Sequence, residues 1–459
     1  MKGDGPLSYH LGCDFFRDPD GSLAFGPKKY VTKMMSNYER MFGELPRKYK
    51  SPLDHGDHPE LDTSPLLEPE DVAKYHSMIG ALQWLVSLGR FDVLSATVTL
   101  SRFRAEPREG HLARAKHVYG YIRSQPDGAI RVRTGLPDYS ELPYKDHDWD
   151  YSVYGSVEET IPSDAPEPLG KEVILSTYVD ANLYHDMVTG RALTGVLHFV
   201  NGTPVEWFSK RQATVETATY GSEFVAAKIA TEQVIDLRTS IRYLGIPIKK
   251  DSYVSMTDPR KAEKKRDRDV PTYMFGDNQS VITSSTIPAS LLNKRHNALA
   301  YHRVREAIAA GIIRFFHIAG KSNPADVLSK HSGFQQFWPL IQPILFWRGD
   351  PTSLKNSLLE DRTDPKSVST RESGECQEKN GTASRGSMET MREYGDYPGE
   401  GRGQTGTALG SRSKDKGTGT TQMRTGTTPM RTGTARVRTG TVRTRTKTVG
   451  FTSDPYKNY

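Results

Sequence analysis

The sequence predicts an α/β protein. A mixed five-stranded sheet with flanking helices is expected in residues 171–346, a mainly helical region before it and a disordered tail after it. Three observations carry this expectation. Between residues 171 and 346 the patterning runs strand, strand, strand, helix, strand, helices, strand, helix, which is the order of a mixed sheet with helices on its faces. Before residue 134, apolar residues recur mostly at helical spacing. After about residue 350 that periodicity stops.

Taken in chain order, residues 7–17 and 22–25 read as a hairpin around the turn Asp-Pro-Asp-Gly at 18–21. Residues 27–41 have helical spacing, and 51–65, rich in Pro, Asp, His and Gly, read as a tether. Helices follow at 69–88, 91–103 and 111–122. Arg102, Arg104, Arg114, Lys116 and His117 sit in the last two, on either a solvated face or a phosphate-contacting one. The acidic, Pro-containing stretch 135–170 is a linker signal.

KEVILSTYVD is a strand-like run that ends in Asp180. Two further strands flank the Asn201-Gly202 turn, and a long helix is expected over 214–244. A charged insertion at 258–269 precedes the fourth strand, VPTYMFGD, and the short helix after it. A helix at 293–310, the strand IIRFFHIA and a last helix opening at NPADVLSK complete the set. In the tail, Arg-Thr-Gly-Thr recurs at 424, 431 and 438 with a seven-residue period but no apolar seam, so a coiled coil is excluded. The tail reads as disordered, either weakly attracted to nucleic acid or translated from repetitive DNA.

Net charge is +7, but residues 401–459 hold 12 Lys+Arg against 2 Asp+Glu, a balance of +10. The other 400 residues hold 50 against 53, a balance of −3, so basicity belongs to the tail and does not mark the folded part as a nucleic-acid binder. Two cysteines, Cys13 and Cys376, exclude a disulfide framework and a cysteine-based zinc site. No apolar run reaches the roughly eighteen residues of a membrane span, and the first residues lack the apolar core of a secretory signal. No membrane association is expected; the setting expected is intracellular, cytoplasmic or nuclear.

Four acids fall at expected element boundaries: Asp180 at the end of the first strand, Glu223 early in the long helix, Asp277 after the fourth strand and Asp326 opening the last helix. With a sheet order 3-2-1-4-5, strands one and four are neighbours and their C-terminal ends meet. Phosphodiester hydrolysis needs an activated water and relief of charge on the leaving oxygen, which two divalent ions about 4 Å apart supply. Clustered carboxylates suit Mg²⁺, with Mn²⁺ as a substitute. Each residue also has a plainer role: a strand-end turn for Asp180, a helix cap for Asp277, a favourable helix-dipole position for Asp326. Glu223 shares a stripe with Ala226, Ala227, Ala230, Val234, Leu237, Ile241 and Leu244, where a carboxylate is costly unless metal-bound or paired, for instance with Arg211 or Lys210. His296 and His302 are candidates for a proton shuttle or phosphate contact, or simply solvated. His55 and His58 resemble half of a metal site on a tether without a rigid frame, and Ser222 has no His/Asp partner at a clear spacing.

The segments YVDANLYHD, RALTG, EWFSKRQATVETATYGSEFVAA, FGDNQSVI, KRHNALAYHRVREAIAAGII and NPADVLSK together resemble the ribonuclease H domain of copia-type retrotransposon polyproteins. YHSMIGALQWLVSLGRFDVLSATVTLSRF and HLARAKHVYGYI are similar to the region between reverse transcriptase and ribonuclease H, and LSYHLGCDFFRDPDGSLAFGPKKYV to the end of the polymerase domain. The resemblance spans about residues 6–346. It implies a ribonuclease H-like fold at 171–346, the end of a palm plus a thumb or connection region at 1–134, a linker at 135–170 and a basic Gly/Thr/Arg-rich tail at 347–459. It also implies magnesium-dependent endonucleolytic hydrolysis of RNA in RNA–DNA hybrids, with Asp180, Glu223, Asp277 and Asp326 as catalytic metal ligands and His296 beside them. Other retroelement polyprotein products are implied partners; the sequence sets no oligomeric state. Asn182 stands where the family often has a second Asp. The polymerase Asp pair is absent, so a C-terminal polyprotein fragment or a decayed copy is expected, without polymerisation. A second reading is a non-catalytic nucleic-acid-binding remnant.

Overall fold

A computed structural model of the chain describes residues 6–145, 147–155, 157–251, 268–292 and 294–348. Most of the expected charged insertion and, from residue 349 on, the expected tail lie outside the described residues.

The chain opens with a small antiparallel sheet of β1 (Tyr9–His10), β2 (Cys13–Arg17) and β3 (Leu23–Gly26), which β4 (Ile130–Arg131) later joins at its edge. The β2–β3 turn is the expected Asp-Pro-Asp-Gly, with Gly21 at φ +83°. Four helices follow: α1 (Lys28–Phe42), α2 (Pro69–Ser87), α3 (Leu94–Ser101) and α4 (Glu109–Ser124). Helix α2 starts on a proline with Glu70 and Asp71 in its first turn, where a missing N–H costs nothing and negative charge meets the positive end of the helix. The expected helix at 91–103 begins instead as a 3-10 turn, Phe91–Val93. Within this layer Arg90 and Asp92 form a fully buried ion pair, with Arg90 Nη2 2.8 Å from Asp92 Oδ2 and the Tyr121 hydroxyl donating to the same oxygen.

The second sheet has five strands: β5 (Leu175–Asp186), β6 (Arg191–Val200), β7 (Thr203–Arg211), β8 (Thr272–Gly276) and β9 (Ile313–His317). Their order is β7-β6-β5-β8-β9, the expected 3-2-1-4-5. The first three strands pair antiparallel, whereas β5–β8 and β8–β9 are parallel. The β6–β7 hairpin turns at Asn201-Gly202, both at positive φ as a tight primed turn requires. With α5 (Thr219–Tyr243), α6 (Gln279–Thr286), α7 (Ala298–Ala309), α8 (Asp326–Ser329) and α9 (Phe334–Ile341), this is the ribonuclease H-like α/β arrangement.

Alternate strand residues serve opposite faces. Val179, Ala181, Val196, Met274 and Phe315 pack with Phe224, Ala227 and Ala230 of α5 and Tyr301 and Val304 of α7. Leu197 and Phe199, with Tyr178 and Trp207 beside them, belong to the core of the N-terminal helices, together with Tyr75, Ile79 and Phe91, and with Val327 and Leu328 of α8. The N-terminal helices and the second face of the sheet therefore share one hydrophobic core. The described residues of segment 135–170 run along this body without helix or strand. Tyr139 packs on Tyr273 at 4.3 Å, Arg305 lies 4.9 Å from the Trp149 ring, and Glu159 takes Arg238 at 2.7 Å and Arg242 at 2.8 Å. Among the described residues no helix is long and apolar enough to cross a membrane.

Candidate metal centre

The parallel pairing of β5 with β8 ends at Tyr178 opposite Phe275. Asp180 and Asp277 follow two residues later on their respective chains, so the register brings them level. Asp180 does not close its strand, contrary to the expectation from sequence. Pairing with β6 carries β5 onward through Asp180 opposite Gly195 and Asn182 opposite Leu193, and past a register shift to Asp186. A strand with a partner on one side continues after its other neighbour has ended.

Asp326 arrives from the opposite end of the domain. The side chain of Asn323, fully buried, donates to the Val179 carbonyl at 3.0 Å and accepts from Ala325 N–H at 3.1 Å, which ties the loop before α8 to β5. Gly195 makes room for the helix: a Cβ there would lie 2.7 Å from the Ala325 carbonyl oxygen and 2.9 Å from Leu328 Cβ. The result is a cluster in which one carboxylate oxygen each of Asp180, Asp277 and Asp326 lies within 4.8 Å of the others, with Asp180 fully buried. Glu223, in the second turn of α5 and 8% exposed, is not one of that trio and accepts the Ala181 N–H at 3.3 Å. Arg211, one possible partner for it, pairs with Asp186 instead.

Two cationic or polar groups close the cluster from α8. Lys330 Nζ lies 3.0 Å from Asp180 Oδ1 and 2.8 Å from Asp326 Oδ1, and the Ser329 hydroxyl donates to Asp180 Oδ2. Burial, and then the charges of Asp180 and Asp277, push the Glu223 carboxyl well above the usual carboxylate range. Burial and Asp180 together push Asp326 up to about 7 and raise Asp277 also. Burial alone would lower the Lys330 ammonium, but Asp180 and Asp326 outweigh it and push its pKa up. Acids so disposed are comfortable as carboxylates only around a cation, and the lysine already stands at one place where a cation is attracted. The donor set is hard oxygen, as Mg²⁺ and Mn²⁺ prefer. A groove of about 780 Å³ opens beside the cluster, lined by Asn182, His185, Lys321, Asp326, Lys330 and His331 among others.

His296 is half exposed in the turn Arg295–Asn297 before α7, its Nε2 3.2 Å from Glu216 Oε2, and outside the aspartate cluster. Glu216 is buried and also accepts from Asn297 Nδ2 at 3.2 Å. His302 contacts the Tyr154 hydroxyl, and His58 pairs with Glu60 at 2.9 Å. Of the basic residues that offered a phosphate-contacting face, most are engaged internally. Arg102 binds Asp186, Arg114 binds Asp57 and Asp62, Lys116 sits 4.1 Å from the Phe42 ring and His117 stacks on Tyr49 at 3.6 Å. Sequence reasoning missed Lys330, Ser329, Asn323, Gly195 and Glu216. Only Lys330 carried a local signal, four residues after Asp326 on one helical turn.

No family model matches the chain. Over about 73% of its length it is similar to copia-type retrotransposon polyproteins. It is 24% identical over 337 residues, 72% of this chain and 21% of the relative, to the retrovirus-related Pol polyprotein from transposon TNT 1-94 of Nicotiana tabacum. The counterpart from transposon RE1 of Arabidopsis thaliana is 22% identical over 340 residues, 73% of this chain and 19% of the relative. The chain thus spans about one fifth of the length of these curated relatives. It is also 27% identical over 169 residues, 37% of this chain and 94% of the relative, to secreted RxLR effector protein 161 of Plasmopara viticola. Among solved structures, RNase H1 from Halobacterium salinarum aligns at 16% identity over 34% of this chain and 93% of its own, with a TM-score of 0.23. LC11-RNase H1 in complex with an RNA/DNA hybrid aligns with the same figures.

Proposed function

We propose that this chain, a relative of copia-type retrotransposon polyproteins, is a divalent-metal-dependent ribonuclease H that cuts the RNA strand of RNA–DNA hybrids. The observation that carries the reading is the convergence of Asp180, Asp277 and Asp326 to within 4.8 Å, with the buried Glu223 carboxyl held beside them at Ala181. The nuclease unit is residues 171–346. Residues 1–134 are the end of the polymerase domain with a thumb or connection region, 135–170 links the two parts, and the setting is intracellular.

Asp180, Glu223, Asp277 and Asp326 would hold two Mg²⁺ ions, or Mn²⁺ in their place. When bound, the ions supply an activated water and relief of charge on the leaving oxygen. The chain's own residues do the rest. Ser329 and Asn323 hold Asp180 and the loop before α8 in position, so the donor set is organised before an ion arrives. Glu216, buried and acidic, orients the half-exposed His296 imidazole, and His296 carries a proton between the hybrid and solvent. A ribose 2′-hydroxyl is what tells the strand to be cut from its DNA partner.

Cleavage of an end-labelled RNA–DNA hybrid by the full chain with Mg²⁺ tests this. Asp180→Asn and Asp277→Asn are expected to lower the rate by about 10²-fold or more. Wild type that cuts no better than these variants, while binding the hybrid in a salt-dependent way, would leave a non-catalytic binding remnant instead.

A further inference from the structure

The reading of the cluster as a metal centre leaves Lys330 unexplained. Its Nζ lies 3.0 Å from Asp180 Oδ1 and 2.8 Å from Asp326 Oδ1. A divalent ion shared by Asp180 and Asp326 would use those same oxygens, at the roughly 2.0–2.1 Å that Mg²⁺ demands. An ammonium and a dication cannot both sit there: they would contend for the same lone pairs and repel at contact distance. Among the described residues Lys330 pairs with neither Glu223 nor Asp277, although its charge reaches both. Lys330 is also free to leave. It is the first residue past the end of α8, in extended conformation, its side chain is 32% exposed, and it lines the groove beside the cluster.

We propose that Lys330 is a built-in counter-cation for the Asp180–Asp326 half of the centre. It holds those two carboxylates together in the ion-free chain, and a divalent ion enters that half only by displacing it into the groove. The half formed by Asp180, Asp277 and Glu223 takes its ion without displacement. The two ion sites therefore differ in affinity for a reason that lies in one side chain, and that side chain makes occupancy of the second site depend on divalent-ion concentration. The inference rests on the metal-centre reading and narrows it.

Titration of the full chain with Mn²⁺ tests it, followed by calorimetry and by electron paramagnetic resonance of the bound ion. Wild type is expected to bind one Mn²⁺ with a second at least about tenfold weaker, the competing ammonium being worth a pair of charges in a shielded site. Lys330→Met keeps the length of the stem without the charge, and Lys330→Gln is a second neutral variant. Either should tighten the second site about tenfold and bring out the signal of a coupled manganese pair at lower Mn²⁺. Lys330→Arg should keep the sites apart. Wild type binding two ions with equal affinity overturns the proposal, and so do neutral variants whose second site stays as weak as in wild type. A different result, no Mn²⁺ bound by wild type or by any Lys330 variant, would remove the metal centre itself.

Discussion

Gly195 faces Asp180 across the β5–β6 ladder, and the space that its missing Cβ leaves is filled by the Ala325 carbonyl and by Leu328. An alanine there must push α8 away, and α8 carries Asp326 and Ser329, with Lys330 next after it. Gly195→Ala is therefore expected to cost about 1–3 kcal/mol of stability, as overpacking does. Hybrid cleavage should fall by more than that loss explains, since Asp326 moves with the helix. Urea unfolding alongside a cleavage assay checks both; a variant with wild-type cleavage would show that α8 does not need this contact. At this scale the sequence was legible only in part. The four carboxylates could be singled out as candidates from motif resemblance because each sits in a recognisable segment. Gly195, Asn323 and Ser329 could not, because their roles exist only when residues more than a hundred positions apart meet, as Ser329 meets Asp180.

Helix α3 shows how an element can matter through its hydroxyls. Thr99 Oγ1 lies 3.2 Å from His185 Nε2, and Ser95 Oγ lies 3.4 Å from His331 Nδ1. Both imidazoles are buried at the seam between the N-terminal helices and the sheet. Burial holds His185 down at about 3 and His331 at about 4, against an ordinary 6.5. His198, buried within β6 against Thr177, is held at about 4 for the same reason. Between pH 6.5 and 4 the unfolded chain thus binds protons that the folded chain refuses. Stability is fully present above pH 6.5 and is lost as the pH falls through that window, at up to about 1.4 kcal/mol per pH unit for each histidine. Thermal melting from pH 7 to 4 should show this slope, and His185→Gln with His331→Gln should flatten it; an unchanged slope in the double variant would assign the loss to other groups. Element type and order were largely readable, since α2 and α5 follow helical spacing and β6–β7 carries a tight-turn pair. Extents were less so: the helix expected at 214–244 is Thr219–Tyr243, and Leu244, placed on its buried stripe, is 74% exposed. Periodicity reports a face and does not locate the last packed turn.

On the scale of the whole molecule, the sheet has no bare face. Tyr178, Leu197, Phe199 and Trp207 meet Phe91, Ile79 and their neighbours from the N-terminal helices. A fragment of residues 171–348 exposes that apolar surface to water and is expected to aggregate or to bind a hydrophobic dye, whereas 6–348 stays monomeric. Size-exclusion chromatography with dye fluorescence distinguishes them; a monomeric, dye-silent fragment melting like the longer chain would show that the cover is dispensable. The composition shift at 135–170 was visible in the sequence, but what covers the sheet was not. The apolar residues of α3 say that something lies over them and cannot name β7 as the neighbour.

The shared core also governs how the chain comes apart. A boundary drawn through residues 135–170 separates two stretches of sequence, yet one apolar core spans the layers on either side of it. Heat or denaturant has no place to begin on one half while sparing the other, so both should be lost in one cooperative transition. Loosening the contact of Phe91 with Trp207, neither of them a residue of the centre, then lowers the temperature at which the centre itself is lost.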